Sequence, residues 1–179
     1  MKRVHEQWIG LMGYAIAMAL LEACVVIYMR QLYYPDDPLV IFPLQFLDRF
    51  DPRIELSREL ATLLMIVAVA FVGERRSFPR WWAAVLLLFG AWDLFYYVWL
   101  KVLIGWPVSW LEWDILFLIP RVWLGPWICP ALIAALFLCW GSLGLSESWR
   151  VTIGPKSITL FLGGVLVGLF SWNRRNGPF

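Results

Sequence analysis

Seven ionisable or phenolic residues in or beside the apolar stretches of this chain could do polar chemistry. They are Glu22, Arg58, Glu59, Asp93, Tyr97, Lys101 and Asp114. A charged group inside an apolar segment is costly, and it usually marks a partner, a water-filled cavity or a function. These residues could bind a ligand or an ion, or relay protons through carboxylates whose ionisation is suppressed by burial. For a proton relay, Glu22 is the best candidate because it lies far in sequence from the basic residues.

Catalytic and metal-binding motifs are mostly absent. The single histidine, His5, lies near the N-terminus, so a haem ligand, a His-based zinc site or a Ser-His dyad within the apolar segments has no support. HExxH, GxSxG and P-loop patterns do not occur, and the three cysteines form no CxxC pair. We therefore predict a non-catalytic protein with no cofactor and no metal site. A carboxylate site for a hard cation and an enzyme acting on a lipid-like substrate stay as alternatives.

Composition indicates the membrane class. Of the 179 residues, 61% are hydrophobic and only 16% are charged, and the mean hydropathy is +0.71. Soluble domains are nearer half apolar and a quarter charged. The net charge of +2 is too small to indicate nucleic-acid binding. The sequence predicts one integral membrane domain over residues 1–179 whose first partner is the lipid bilayer.

The pattern of apolar runs predicts an all-α, polytopic transmembrane helix bundle. We expect about five spanning helices, at residues 8–29, 52–73, 79–104, 127–140 with an extension backwards into VWLG, and 157–172. Asp51 and Pro52 are typical of a helix N-cap followed by proline at the first helical position. Gly164 and Gly168 have the spacing of a GxxxG packing face. Between Pro107 and Pro120 the apolar run is too short to cross, which predicts a short re-entrant or interfacial helix.

The basic loop ERRSFPR sets the predicted orientation. Short loops rich in lysine and arginine stay in the cytoplasm, so this loop and the N-terminus are assigned to that side. We expect the bacterial inner membrane. The basic tail NRRNGPF would lie outside on a count of five helices, against the same rule, so four or six helices stay open.

Alternating helices would bring the charged residues together. Glu22, Glu59, Asp93 and Asp114 then fall in one half of the membrane, the outer half when the N-terminus is cytoplasmic. Four basic residues would balance them: Arg30, Arg58, Lys101 and Arg121.

Helical spacing refines this cluster. Asp93, Tyr96, Tyr97 and Lys101 share one face of their helix. Glu55 and Glu59 are four residues apart, and we expect one of them to turn to water while the other pairs. The cluster has two interpretations, ion pairs that hold helices in register and a ligand, ion or proton site.

Tryptophan is unusually frequent, with 13 residues. The segment from Trp92 to Trp127 is typical of an interfacial aromatic belt. It could also dock a partner subunit or a flat hydrophobic ligand such as a quinone or pigment.

The successive motifs WDLFYYVWLK, GWP and WDILFLIP, which cover about 40 residues, resemble a pattern in uncharacterised small polytopic bacterial membrane proteins. The resemblance implies a multi-pass membrane protein and no activity.

Two functional hypotheses follow. The first is a non-catalytic integral subunit or assembly partner of a larger membrane protein complex, because the chain is small and lacks catalytic motifs. The second is a small transporter or a ligand- or ion-binding membrane protein that uses the outer-half charge cluster.

Overall fold

The computed structural model describes residues 2–34, 36–37, 39, 52–75, 77–118 and 123–146. In chain order the elements are α1 (Lys2–Tyr33), α2 (Pro52–Gly73), α3 (Phe78–Ile104), β1 (Trp113–Phe117), β2 (Trp123–Pro126) and α4 (Ile128–Leu145). The predicted helix at 157–172 with its GxxxG spacing, the predicted cap Asp51 and the predicted base Arg121 lie outside the described residues.

Four helices within the described residues are long and apolar enough to cross a membrane. They are His5–Tyr33, Arg53–Gly73, Phe78–Ile104 and Ile128–Leu145. The mostly helical class predicted from the sequence is confirmed, and these helices suggest a membrane-embedded protein.

The helix bounds follow from local sequence. The 32 residues of α1 extend past the predicted apolar run at both ends, because the flanking lysine, arginine, glutamate and glutamine residues favour helix almost as well as leucine. Arg30 therefore lies inside α1 and does not close it. The bounds of α2 agree with the prediction. Gly105, in the left-handed region at φ 75°, ends α3 and donates its N–H to the Lys101 carbonyl.

The central helix is α3, which packs against each of the other three helices. Its inward face is apolar, and Ala84, Leu87, Leu88 and Ala91 have no exposed surface. At two glycines on the α3–α4 interface a side chain has no room. A Cβ at Gly90 would lie 2.5 Å from the Ala134 carbonyl oxygen, and one at Gly141 would lie 2.7 Å from the Ala83 carbonyl oxygen. Small residues let helix backbones approach closely in this way.

The helices alternate in direction. The start of α1 meets the end of α2, where Gln7 Nε2 donates to the Gly73 carbonyl at 2.8 Å. The end of α4 also reaches this point, because Trp8 Nε1 donates to Ser142 Oγ at 3.1 Å. The buried Glu74 accepts from Arg80 Nε at 2.9 Å in the same region, which brings in the start of α3. Glu22, Glu59 and Asp93 lie toward the opposite end.

The segment between α3 and α4 forms an antiparallel hairpin, so the predicted re-entrant or interfacial helix is wrong there. Asp114 pairs with Gly125 and Ile115 with Leu124, and the register shifts between Ile115 and Phe117. Tryptophan, isoleucine and phenylalanine favour a strand. The predicted backward extension of α4 into VWLG is wrong for the same reason, since Trp123–Pro126 is β2.

Candidate functional site

A cavity of about 120 Å³ lies between α1, α2, α3 and the hairpin. Three helices and one strand supply its polar lining: Glu22, Arg30, Tyr33 and Tyr34 at the end of α1, Glu55, Arg58, Glu59 and Thr62 on α2, Asp93, Tyr96 and Tyr97 on α3, and Asp114 on β1. Its apolar lining includes Val26, Met29, Trp92 and Ile115 to Leu118. The cavity therefore combines charged groups with aromatic walls.

Six of the seven residues singled out from the sequence line this cavity. Lys101 does not. Its Nζ donates to the carbonyls of Gly105 at 2.9 Å and Pro107 at 2.8 Å, so it satisfies the backbone after the end of α3. Both carbonyls lie just beyond the last residue of α3, where a lysine of the last helical turn can reach them.

Arg58 joins two acids on two helices. Its two terminal nitrogens donate to Glu22 on α1 and to Glu55 on α2. Glu22 is therefore paired with a base in space although it lies far from the bases in sequence, because distance along the chain is not distance across a helix pair.

Glu55 and Glu59 both turn inward, so the expectation that one of them faces water is wrong. They are 6% and 7% exposed, since residues four apart occupy the same helix face. Both carboxylate oxygens of Glu59 accept the backbone N–H of Leu118, at 3.1 and 3.2 Å. This contact ties the hairpin to α2 and satisfies a donor at the end of β1.

Asp114 lies at the centre of the second polar group. Arg30 Nη2 is 3.7 Å from its Oδ1, and the nearby Tyr97 phenol also favours the ionised form of the carboxyl. The Arg30 guanidinium also stacks over the fully buried Trp106 at 4.0 Å from the ring centroid. Burial raises the pKa of the Asp114 carboxyl to about 6, and the nearby Arg30 acts in the opposite direction.

Asp93 differs from the other acids of the cavity. Its side chain is 8% exposed and faces the cavity. No described residue forms an ion pair or a hydrogen bond with its carboxylate. The position of Asp93 three and four residues before Tyr96 and Tyr97 places all three on the cavity side of α3, as the spacing predicts.

The charge balance differs from the sequence prediction. Among the described residues, five acids and two arginines line the cavity. Glu55 joins the predicted acids, Lys101 binds elsewhere, and the fourth predicted base, Arg121, lies outside the described residues. Sequence reasoning did not place Tyr33, Tyr34 and Thr62 in this group. The hydroxyls of Tyr33 and Tyr34 carry no spacing signal, since both follow the predicted end of helix one.

The chemical groups of the cavity are those of side chains and not of a metal cluster among the described residues. Within the described residues no group of three or more histidine, cysteine, aspartate or glutamate side chains is placed to hold a metal ion. The cavity offers carboxylates, phenols, guanidinium groups and ring faces to a small occupant.

No known protein family, curated protein or solved structure matches this chain.

Proposed function

We propose that this chain is an integral membrane protein that binds a small ligand in the cavity between α1, α2, α3 and the hairpin. The observation that supports it best is that charged side chains from four elements surround a shared space. Ion pairs that only hold helices in register need no space between them. In the orientation favoured by the basic loop, with the N-terminus cytoplasmic, the cavity lies in the outer half of the membrane.

The size of the cavity fits a small molecule. A water molecule needs roughly 10–15 Å³ of such volume, so 120 Å³ corresponds to several waters or one compact organic molecule. Within such a site the groups differ in role. Asp93 can contact the ligand directly, while Arg58, held by Glu22 and Glu55, keeps the walls of α1 and α2 together.

A second candidate is the accessory subunit of a membrane complex. The observation that favours it is the pair Trp110 and Trp113, which are 72% and 54% exposed near the hairpin. Exposed aromatic side chains of this kind are frequent at protein interfaces, although a membrane–water interface also accommodates them.

The test is native mass spectrometry of the protein purified in mild detergent, as wild type and as Thr62→Phe. Thr62 is 4% exposed and lines the cavity, so the larger ring should fill part of the ligand space. Leu64→Phe is the matched control, because Leu64 lies on the same helix and is 60% exposed. We expect a small molecule bound to the wild type and to Leu64→Phe, and its loss from Thr62→Phe.

Equal occupancy in all three proteins, or no bound small molecule in any, would contradict ligand binding in this cavity. Stoichiometric co-migration with other polypeptides would support the accessory-subunit function.

A further inference from the structure

The carboxylate of Asp93, which has no partner among the described residues, indicates the chemistry of the ligand. Each of the other cavity acids has a partner: Glu22 and Glu55 share Arg58, Glu59 accepts the Leu118 N–H, and Asp114 forms an ion pair with Arg30 at 3.7 Å. Asp93 is as deeply buried as they are, yet within the described chain nothing donates to it. A buried charge without a partner is strongly unfavourable, so a positively charged occupant would stabilise it.

The walls beside Asp93 also suit a cation. Tyr96 and Tyr97 lie one turn further along α3, with ring centroids 5.0 Å apart. Trp92 and Phe117 form a further aromatic pair in the lining, with centroids 6.4 Å apart. The faces of aromatic rings attract cations, and the attraction increases when water is excluded.

The cations already present do not serve Asp93. Both terminal nitrogens of Arg58 are engaged by Glu22 and Glu55. Arg30 lies against Trp106 and Asp114. With five acids against two arginines in the described lining, an anionic ligand would add to an excess of negative charge.

We infer that the cavity binds a small organic cation, with its ammonium group at the Asp93 carboxylate and its carbon skeleton against the rings of Trp92, Tyr96 and Phe117. A bare metal ion fits less well, because the described residues offer no cluster of three metal ligands. This inference depends on the proposed ligand-binding function and specifies the class of ligand.

The test compares charged probes with uncharged isosteres of the same shape. Choline is paired with its carbon analogue dimethylbutanol, and isopentylammonium with isopentyl alcohol. Isothermal titration calorimetry on the purified full chain measures each affinity. We expect at least one cation to bind at least about tenfold more tightly than its isostere, because charge pairing at a desolvated site is worth more than about 1.4 kcal/mol.

Variants locate the binding. Asp93→Asn keeps the shape and removes the charge, and we expect the preference for the cation over its isostere to disappear. Glu6→Gln removes an exposed acid of α1 outside the cavity and should change nothing. Tyr96→Leu keeps Asp93 and removes a ring, so it should weaken binding of the cation more than binding of the isostere. This variant takes the place of Asp93→Asn if Asp93→Asn does not fold.

Wild-type protein that binds neither cation more tightly than its isostere would overturn the inference, as would a preference that survives both cavity variants. A neutral or anionic molecule that co-purifies with the wild type and is lost from Thr62→Phe would leave ligand binding standing and the cation inference wrong. If the mass spectrometry shows no ligand lost from Thr62→Phe and the calorimetry shows no preference for a cation, both the ligand-binding function and the cation inference are rejected.

Discussion

Arg58 shows how a single residue organises the charged lining. It is the shared donor of Glu22 and Glu55, and its side chain is 26% exposed while theirs are 13% and 8% exposed. Pairs at this depth are neither fully screened nor fully desolvated, so their net contribution to stability is modest. Loss of the arginine would be more costly than that, because it would leave two acids of the cavity without a cation.

At the same scale, the buried carboxyl of Asp114 predicts a pH dependence. Its pKa is raised from 3.8 to about 6 by burial, with Arg30 and Tyr97 opposing the shift. The folded chain therefore holds this proton more tightly than the unfolded chain does. The tighter proton binding stabilises the folded state fully below about pH 4, and this stabilisation is lost as the pH rises through about 6.

Between pH 4 and pH 7, we expect the wild type to lose about 1–3 kcal/mol of unfolding free energy relative to Asp114→Asn. Thermal unfolding in detergent at a series of pH values measures it. Glu6→Gln, which changes an exposed acid, should follow the wild type at every pH. A difference between wild type and Asp114→Asn that does not change with pH would contradict the prediction.

The residues of the site were only partly predictable from sequence. Alternation of helix direction is a topological rule, so the convergence of Glu22, Glu59 and Asp93 could be foreseen. The direction of a long side chain is set by competition between partners, and Lys101 binds backbone carbonyls that the sequence does not reveal as available. The inward position of Glu55 was predictable from its four-residue spacing to Glu59.

Among the elements, the interface of α3 and α4 depends on its glycines. A Cβ at Gly141 would lie 2.7 Å from the Ala83 carbonyl oxygen, which belongs to helix backbone and cannot move aside alone. We expect Gly141→Ala to destabilise the fold by about 1–3 kcal/mol, as overpacking of a close interface does. Thermal unfolding followed by circular dichroism measures the loss.

Gly10→Ala is the matched control for that substitution. Gly10 lies in α1, and a Cβ added there would have no neighbouring atom within 4 Å. Alanine favours helix over glycine by up to about 1 kcal/mol, so this variant should be as stable as the wild type or more stable. Equal unfolding temperatures for the two variants would show that α3 and α4 do not approach as closely as described.

The helices were more predictable than the hairpin. In the sequence, Pro52 marks the start of α2 and Gly73 marks its end. Both predicted bounds agree with the structure. The hairpin depends on contacts distant in sequence, such as the bond from Leu118 to Glu59. A strand end of this kind needs a hydrogen-bond partner when it is buried, and no local sequence pattern identifies Glu59 as that partner.

For the whole molecule, orientation is the property to test. The positive-inside rule predicts that the connection between α2 and α3 is cytoplasmic and that the loop after α3 lies outside. In a bacterial host, in a cysteine-free background, we expect Ser109→Cys to react with a membrane-impermeant thiol reagent in intact cells. Ser77→Cys should react only after permeabilisation, and the reverse pattern would place the cavity on the cytoplasmic side. Both serines are exposed.

The pair between Arg58 and Glu22 also bears on the order of synthesis. Both residues belong to helices that precede Asp93 and Asp114 in the chain, so they are synthesised before those two acids. The arginine that makes α2 costly to insert can therefore be neutralised by a helix already made. In a membrane, the charge of Arg58 would then already be paired with Glu22 when the later elements are made.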